Sequence, residues 1–170
     1  MLSAHRQDAK QMVKCGVITI SDTRTIDTDK SGAFIKELLQ TAGHNVMQYE
    51  IVQDETLFIQ QKVKEMTVNK EIEAIIMNGG TGISNRDVTI EAIQPLFSKE
   101  LPGFGELFRM LSYQLDIGSA SIMSRAIAGV INNCIVFSIP GSVKAVKLAM
   151  EKLILPELGH AVGELAKDRV

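Results

Sequence analysis

The stretch Asn78-Gly79-Gly80-Thr81-Gly82-Ile83-Ser84-Asn85-Arg86-Asp87-Val88-Thr89 holds the residue types that most plainly invite chemistry. Three glycines within four positions let a backbone approach a ligand with its N–H groups exposed. Such a concavity suits phosphate or another anion, and a helix opening near Asp87 would add its positive end. Arg86 can neutralise phosphate charge. Asp87 repels phosphate by itself, so its place beside such a loop calls for a cation. Mg²⁺ is held in this way, by one or two carboxylates together with phosphate oxygens. The same spacing also reads as a tight turn with Asp87 as a plain helix cap. The loop lacks the Gly-Lys-Ser/Thr ending of a P-loop. It is not a dinucleotide fingerprint either, because no third glycine stands in place after Gly82.

Other polar residues follow apolar runs in the same manner. Asp54, in Val52-Gln53-Asp54-Glu55, is either an N-cap or a second carboxylate for the same metal. Ser142, in Pro140-Gly141-Ser142, is either a cap or a hydroxyl facing a ligand together with the turn's amides. Ser21-Asp22 ends the first apolar run. His5, His44 and His160 are scattered, which argues against a histidine metal centre. No nucleophile–histidine–acid set can be assembled from the spacing.

The elements that must position these residues alternate. β-branched runs at Val13–Ile20, Val46–Val52, Ala74–Met77 and Ile135–Ile139 read as strands. Between and after them lie helical patterns. Phe34, Ile35, Leu38, Leu39 and Ala42 stop at Gly43, Leu57, Phe58, Val63 and Met66 mark a second helix, and Ile90, Ala92 and Ile93 a short third. Val146, Ala149, Met150, Leu153 and Ile154 mark the last. This is an α/β pattern: a mostly parallel open sheet with helices on both faces, a three-layer α/β/α arrangement. In such sheets ligands bind outside the carboxyl ends of the strands, where Ser21-Asp22, Asp54-Glu55, Gly79–Gly82 and Pro140–Ser142 all fall. Residues 97–133 depart from the alternation. Leu101-Pro102-Gly103 reads as a turn, Phe104, Leu107, Phe108, Leu111 and Leu115 as one helical face, and Met123–Ala128 as further helix. The segment is therefore expected to be a helical insertion over one end of the sheet, closed by a turn at Asn132-Asn133.

The 170 residues fit one domain at 13–170, preceded by a polar N-terminal arm at 1–12. A formal charge of -2 gives no long-range pull toward nucleic acid or an anionic membrane. No apolar stretch reaches membrane-spanning length. Cys15 and Cys134 sit in apolar runs without metal-ligand spacing and read as buried, reduced thiols, which sets a cytoplasmic expectation. Met47, Met77, Met110, Met123 and Met150 read as core packing.

With these residues in view, the chain resembles the MoaB/MogA family of molybdenum-cofactor biosynthesis proteins. The resemblance runs from about Val13 to Leu158. It rests on Thr19-Ile20-Ser21-Asp22-Thr23, Val52-Gln53-Asp54-Glu55, Gly79-Gly80-Thr81-Gly82 with Arg86-Asp87-Val88-Thr89, Leu101-Pro102-Gly103-Phe104-Gly105-Glu106, Ser124-Arg125-Ala126 and Pro140-Gly141-Ser142. The resemblance implies that molybdopterin and ATP bind with Mg²⁺ and that molybdopterin is adenylylated with release of pyrophosphate. A non-catalytic molybdopterin- or nucleotide-binding paralogue is the alternative. It also implies a homo-oligomer, a trimer or a hexamer. It matches the family's essential aspartates to Asp54 and Asp87, as catalytic residues and metal ligands. It matches the phosphate- and pterin-contacting positions to Ser21, Asp22, Gly79, Gly80, Thr81, Gly82, Arg86, Glu106, Ser124, Arg125, Gly141 and Ser142.

Overall fold

A computed structural model of the chain describes residues 9–167. In chain order its elements are β1 (Lys14–Ile20), α1 (Lys30–Thr41), β2 (Asn45–Val52), α2 (Thr56–Val68), β3 (Ala74–Asn78), α3 (Thr89–Ile93), β4 (Lys99–Glu100), α4 (Pro102–Leu115), β5 (Ile127–Ile131), β6 (Cys134–Ile139), α5 (Val143–Ala149) and α6 (Leu155–Ala166). Short 3₁₀ segments follow α3 and α4, at Gln94–Leu96 and Gly118–Met123. A π turn, Met150–Ile154, joins α5 to α6.

The strands form one sheet in the order β2-β1-β3-β6-β5-β4. The first four are parallel, and β5 and β4 extend the sheet antiparallel to their neighbours. Strand side chains alternate between two cores, as the two-residue period demands. Cys15, Val17, Ile76, Ile135 and Phe137 face α1, α4, α5 and α6, where they meet Ile35, Leu39, Phe108, Val146 and Leu158. Ile18, Ile20, Ile75, Met77 and Val136 face α2 and α3, where they meet Ile59, Val63, Met66 and Ile93. The three-layer α/β/α expectation holds. An edge-to-face pair of Phe104 and Phe137, centroids 5.2 Å apart, pins α4 to β6 and contributes about 0.5–1.5 kcal/mol beyond its burial.

The expectation for residues 97–133 is corrected. Residues 127–131 are a strand, because Asn132 and Asn133 take φ of 49° and 63° and turn the chain directly back into β6. Two successive residues with positive φ make the hairpin turn whose twist matches the flanking strands. Nor is Leu101–Gly103 a turn: Pro102 opens α4 from its first turn, where its missing N–H costs nothing. Leu57 and Phe58 are exposed and Ile59 is the buried residue of α2's first turn. Met77 and Met150 are core, whereas Met47, Met110 and Met123 are exposed. Cys15 and Cys134 are free and buried, and burial pushes the Cys15 thiol up to about 12. Residues 1–8 of the expected arm lie outside the described residues. Lys10 donates its N–H to the Gly159 carbonyl at 2.9 Å, and its ammonium pairs with the nearly buried Glu73. No described helix is long and apolar enough to cross a membrane.

The chain leaves β1 through α1 to reach β2 on one side, then crosses by α2 to β3 on the other side of β1. The connections therefore diverge at the carboxyl ends of β1 and β3. That divergence is the topological switch point at which open sheets bind ligands.

Candidate functional site

A cleft of about 510 Å³ opens at the switch point. Of the expected residues, Ser21, Asp22, Asp54, Gly79, Gly80, Thr81, Gly82, Asp87, Ser124, Arg125 and Gly141 line it. Four separate strand ends and the segment before β5 are thereby brought together. Thr23, Arg24 and Met123 also line it and were not anticipated.

The glycine loop leaves β3 at positive φ, 96° at Gly79 and 65° at Gly80. A Cβ at Gly79 would strike the Ile20 carbonyl, and one at Gly80 would lie 2.8 Å from Asp54 Oδ1. Only glycine lets the loop turn this sharply over the end of β1. The Gly79 N–H donates to Ile139 at 3.0 Å. The next four amides, Gly80 to Ile83, donate to no acceptor among the described residues. Unspent amides at a cleft are what an anion-binding nest requires.

Asp87 is not a helix cap. The cap position of α3 is Val88, which offers no side-chain bond. Asp87 Oδ2 instead accepts from Ser84, from its hydroxyl at 2.6 Å and its N–H at 3.2 Å, closing the loop on itself. With only five residues, α3 adds no helix-end field of consequence. Asp54 is not a cap either, since Glu55 holds that position at α2 without a side-chain bond. The Asp54 N–H donates to Asp22 Oδ1 at 3.1 Å, and the Asp22 backbone N–H in turn lends the Asp54 carboxylate a hydrogen bond. Burial, then the charges of Asp22 and Asp87, raise its pKa, with Arg86 opposing. Asp22 is held below the usual range by hydrogen bonds from Arg86 and from the Asp54 amide.

Three expected residues do not line the cleft, each for a visible reason. Arg86 is turned outward and bonds Asp22 Oδ2 at 2.6 and 3.1 Å and Glu55 at 3.2 Å. Ser142 spends its hydroxyl as the cap of α5, accepting from the Ala145 N–H at 3.1 Å. Glu106 lies on the exposed side of α4, two positions from the buried Phe108.

The donor set fits a hard divalent cation. Asp54 is an under-satisfied carboxylate crowded by like charge, and Asp87 has one oxygen uncommitted. No group of three or more His, Cys, Asp or Glu among the described residues is gathered as a cage. A cation on Asp54 and Asp87 would thus complete its shell with ligand oxygens and water, the manner in which Mg²⁺ is held with phosphates.

Residues 16–160 match the family model described as "Probable molybdopterin binding domain". The chain belongs to the MoaB/MogA family. It is 61% identical over 165 residues to Molybdenum cofactor biosynthesis protein B of Bacillus subtilis (strain 168), covering 97% of each chain. Among solved structures it is similar to a Molybdenum cofactor biosynthesis protein B, with a TM-score of 0.92, 56% identity, and coverage of 94% of this chain and 99% of that one. It is also similar to the tungsten cofactor synthesizing protein MoaB from Pyrococcus furiosus, with a TM-score of 0.82, 41% identity, and coverage of 92% and 99%. The match to the family spans every residue lining the cleft, so the chain shares its whole site-bearing region with molybdenum-cofactor biosynthesis proteins.

Proposed function

We propose that this MoaB/MogA member binds molybdopterin and Mg-ATP and transfers the adenylyl group to molybdopterin. An oxygen of the molybdopterin phosphate bonds to the α-phosphorus of ATP, the bond from that phosphorus to the bridging oxygen breaks, and pyrophosphate leaves. The observation that carries this reading is the pairing of Asp54 and Asp87 beside four unspent loop amides at the switch point. Phosphoryl and nucleotidyl transfer ask for positioning and charge neutralisation rather than a covalent nucleophile, and the cleft offers both. Asp54 and Asp87 would hold Mg²⁺, which when bound draws negative charge from the phosphate oxygens. The amides of Gly80 to Ile83 cradle phosphate oxygens, and Ser21, Asp22, Ser124 and Gly141 border the remaining space for the nucleoside and the pterin. Of the expected contacts, Glu106, Ser142 and Arg86 lie outside the lining, and Arg86 acts in this reading by holding Asp22.

A homo-oligomer, trimeric or hexameric, is part of the proposal. It is supported by Leu107, Met110, Tyr113, Leu115, Ile117 and Ile122, which leave α4 and the turn after it with a large exposed apolar surface. A cytoplasmic setting accords with two free, buried thiols.

The test is pyrophosphate release from ATP with molybdopterin and Mg²⁺, for the wild-type chain and Asp87→Asn. The variant should lose on the order of a hundredfold or more in turnover while melting within a few degrees of wild type. Near-normal turnover removes the metal role. Tight binding of molybdopterin and ATP by the wild type with no pyrophosphate release makes the chain a non-catalytic carrier instead.

A further inference from the structure

Two guanidiniums line the cleft, and their donors are spent differently. Arg125 gives Nε to the Thr81 carbonyl at 2.9 Å and Nη2 to the Gly82 carbonyl at 2.7 Å. The rest of its fork closes on both carboxylate oxygens of Glu91, on α3. Of the five N–H groups of a guanidinium, at most one is left over. Arg24 donates Nη1 to Asp29 at 3.4 Å and Nη2 to the Gly141 carbonyl at 3.1 Å, which leaves three. Asp29 is itself only 1% exposed, and the Tyr49 hydroxyl and the Gly32 N–H fix it from behind. Arg24 is therefore a braced cation with donors to spare, the condition for precise ligand recognition.

Peptide geometry gives Arg125 another task. In a trans peptide the C=O and N–H of one unit point to opposite sides. Drawing the Thr81 and Gly82 carbonyls toward Arg125 turns the Gly82 and Ile83 amides away from it. Those are two of the amides that find no acceptor among the described residues. Resting on the phosphate-binding reading above, we propose that Arg24 is the cation that meets the ligand's phosphate, and that Arg125 is a positioning residue acting only through the glycine loop it holds.

Calorimetric titration of the full chain with Mg-ATP, with Mg-pyrophosphate and with molybdopterin, each at several salt concentrations, tests this. Arg24→Gln should weaken binding about tenfold or more and flatten its salt dependence. Arg24→Lys, which keeps the charge beside Asp29, should restore part of both. Glu91→Gln is the deciding variant. If Arg125 only braces the loop, loss of the Glu91 anchor weakens binding about threefold or more. If Arg125 were itself the phosphate contact, the same change would free its fork and remove a negative charge, and affinity would rise. That rise overturns the proposal, as does an Arg24→Gln chain that loses melting temperature but no affinity for either anion or for molybdopterin. Weakening with both Mg-ATP and Mg-pyrophosphate sets Arg24 against the nucleotide's phosphates, and weakening with molybdopterin alone sets it against the pterin's phosphate. Either result sustains the proposal. A wild-type chain that binds these anions without releasing pyrophosphate refutes adenylyl transfer and leaves this test standing.

Discussion

Gly79 and Gly43 are both held at positive φ, 96° and 87°, yet replacing each with alanine should have different consequences. At Gly43, after α1, a Cβ would meet nothing within 4 Å. Only the left-handed conformation is then penalised, at about 1–2 kcal/mol. At Gly79 the same penalty applies and the Cβ also strikes the Ile20 carbonyl, which is backbone and cannot rotate away. Parting the ends of β1 and β3 to admit it adds about 1–3 kcal/mol of overpacking, about 2–5 kcal/mol in all. For a chain of 170 residues each kcal/mol lowers the melting temperature by about 2–4 °C. Gly43→Ala should thus lose about 2–8 °C and Gly79→Ala about 4–20 °C. Calorimetric melts would measure both, with Mg-ATP affinity alongside. Gly79→Ala should lose affinity because the amides that follow it shift, and Gly43→Ala should keep it. Equal melting losses, or intact affinity in Gly79→Ala, would show that close approach of the loop to β1 does not shape the cleft.

Three further outcomes are expected. His44 is buried, its Nδ1 accepts from the Val13 N–H at 3.2 Å, and burial pushes its pKa down. The folded state favours neutral imidazole, so stability falls as pH drops through the unfolded value of about 6.5 and levels once below the depressed folded value. His44→Gln should flatten that limb in urea unfolding between pH 7.5 and 5.5, and an unchanged difference from wild type counts against it. Asp54 carries the opposite lesson: because its folded pKa is raised, its charge opposes folding at neutral pH and stability is gained as pH falls through that pKa toward the lower unfolded value. Asp54→Asn should therefore raise the melting temperature of the ligand-free chain while abolishing the rise that Mg²⁺ with ATP gives the wild type, and a fall in both would refute the crowding argument. Leu115→Glu with Ile122→Glu, two of the most exposed apolar positions after the core of α4, should lower the assembled mass in light scattering, and an unchanged mass moves the oligomer contact elsewhere.

The parallel part of the sheet could be read because β1, β3 and β6 are buried on both faces and spell themselves as apolar runs rich in β-branched residues, while the half-exposed edge strand β2 is marked by its apolar ends. β5 could not. Ile127-Ala128-Gly129-Val130-Ile131 has β-branched ends but is interrupted by Ala128-Gly129 and follows a helical pattern, and it is a strand because the two asparagines fold it onto β6 and because Gly129 admits the Phe97 ring against it. The strand-end acids and the glycine loop were legible at the site, since parallel topology fixes where such ends gather. The arginines were not. A sequence shows that Arg86 and Arg125 are cationic but not that Asp22, Glu55, Glu91 and loop carbonyls consume their donors. Arg24 was invisible as a site residue because its brace comes from Asp29 and from Gly141, 117 positions along the chain.

The charges in the cleft suggest an order of entry for its ligands. Three carboxylates, Asp22, Asp54 and Asp87, face two guanidiniums, Arg24 and Arg125, one of them already closed on Glu91. A phosphate arriving alone would add to the like-charge crowding that already lifts Asp54. A phosphate arriving with a divalent cation finds a carboxylate pair for the metal, amides for its oxygens and one braced arginine for the remaining charge. In the proposed reading, then, selection for the metal complex over the free anion is set by Asp54 rather than by any positive residue. A divalent cation beside Asp54 would offset the like-charge crowding from Asp22 and Asp87 that lifts its pKa.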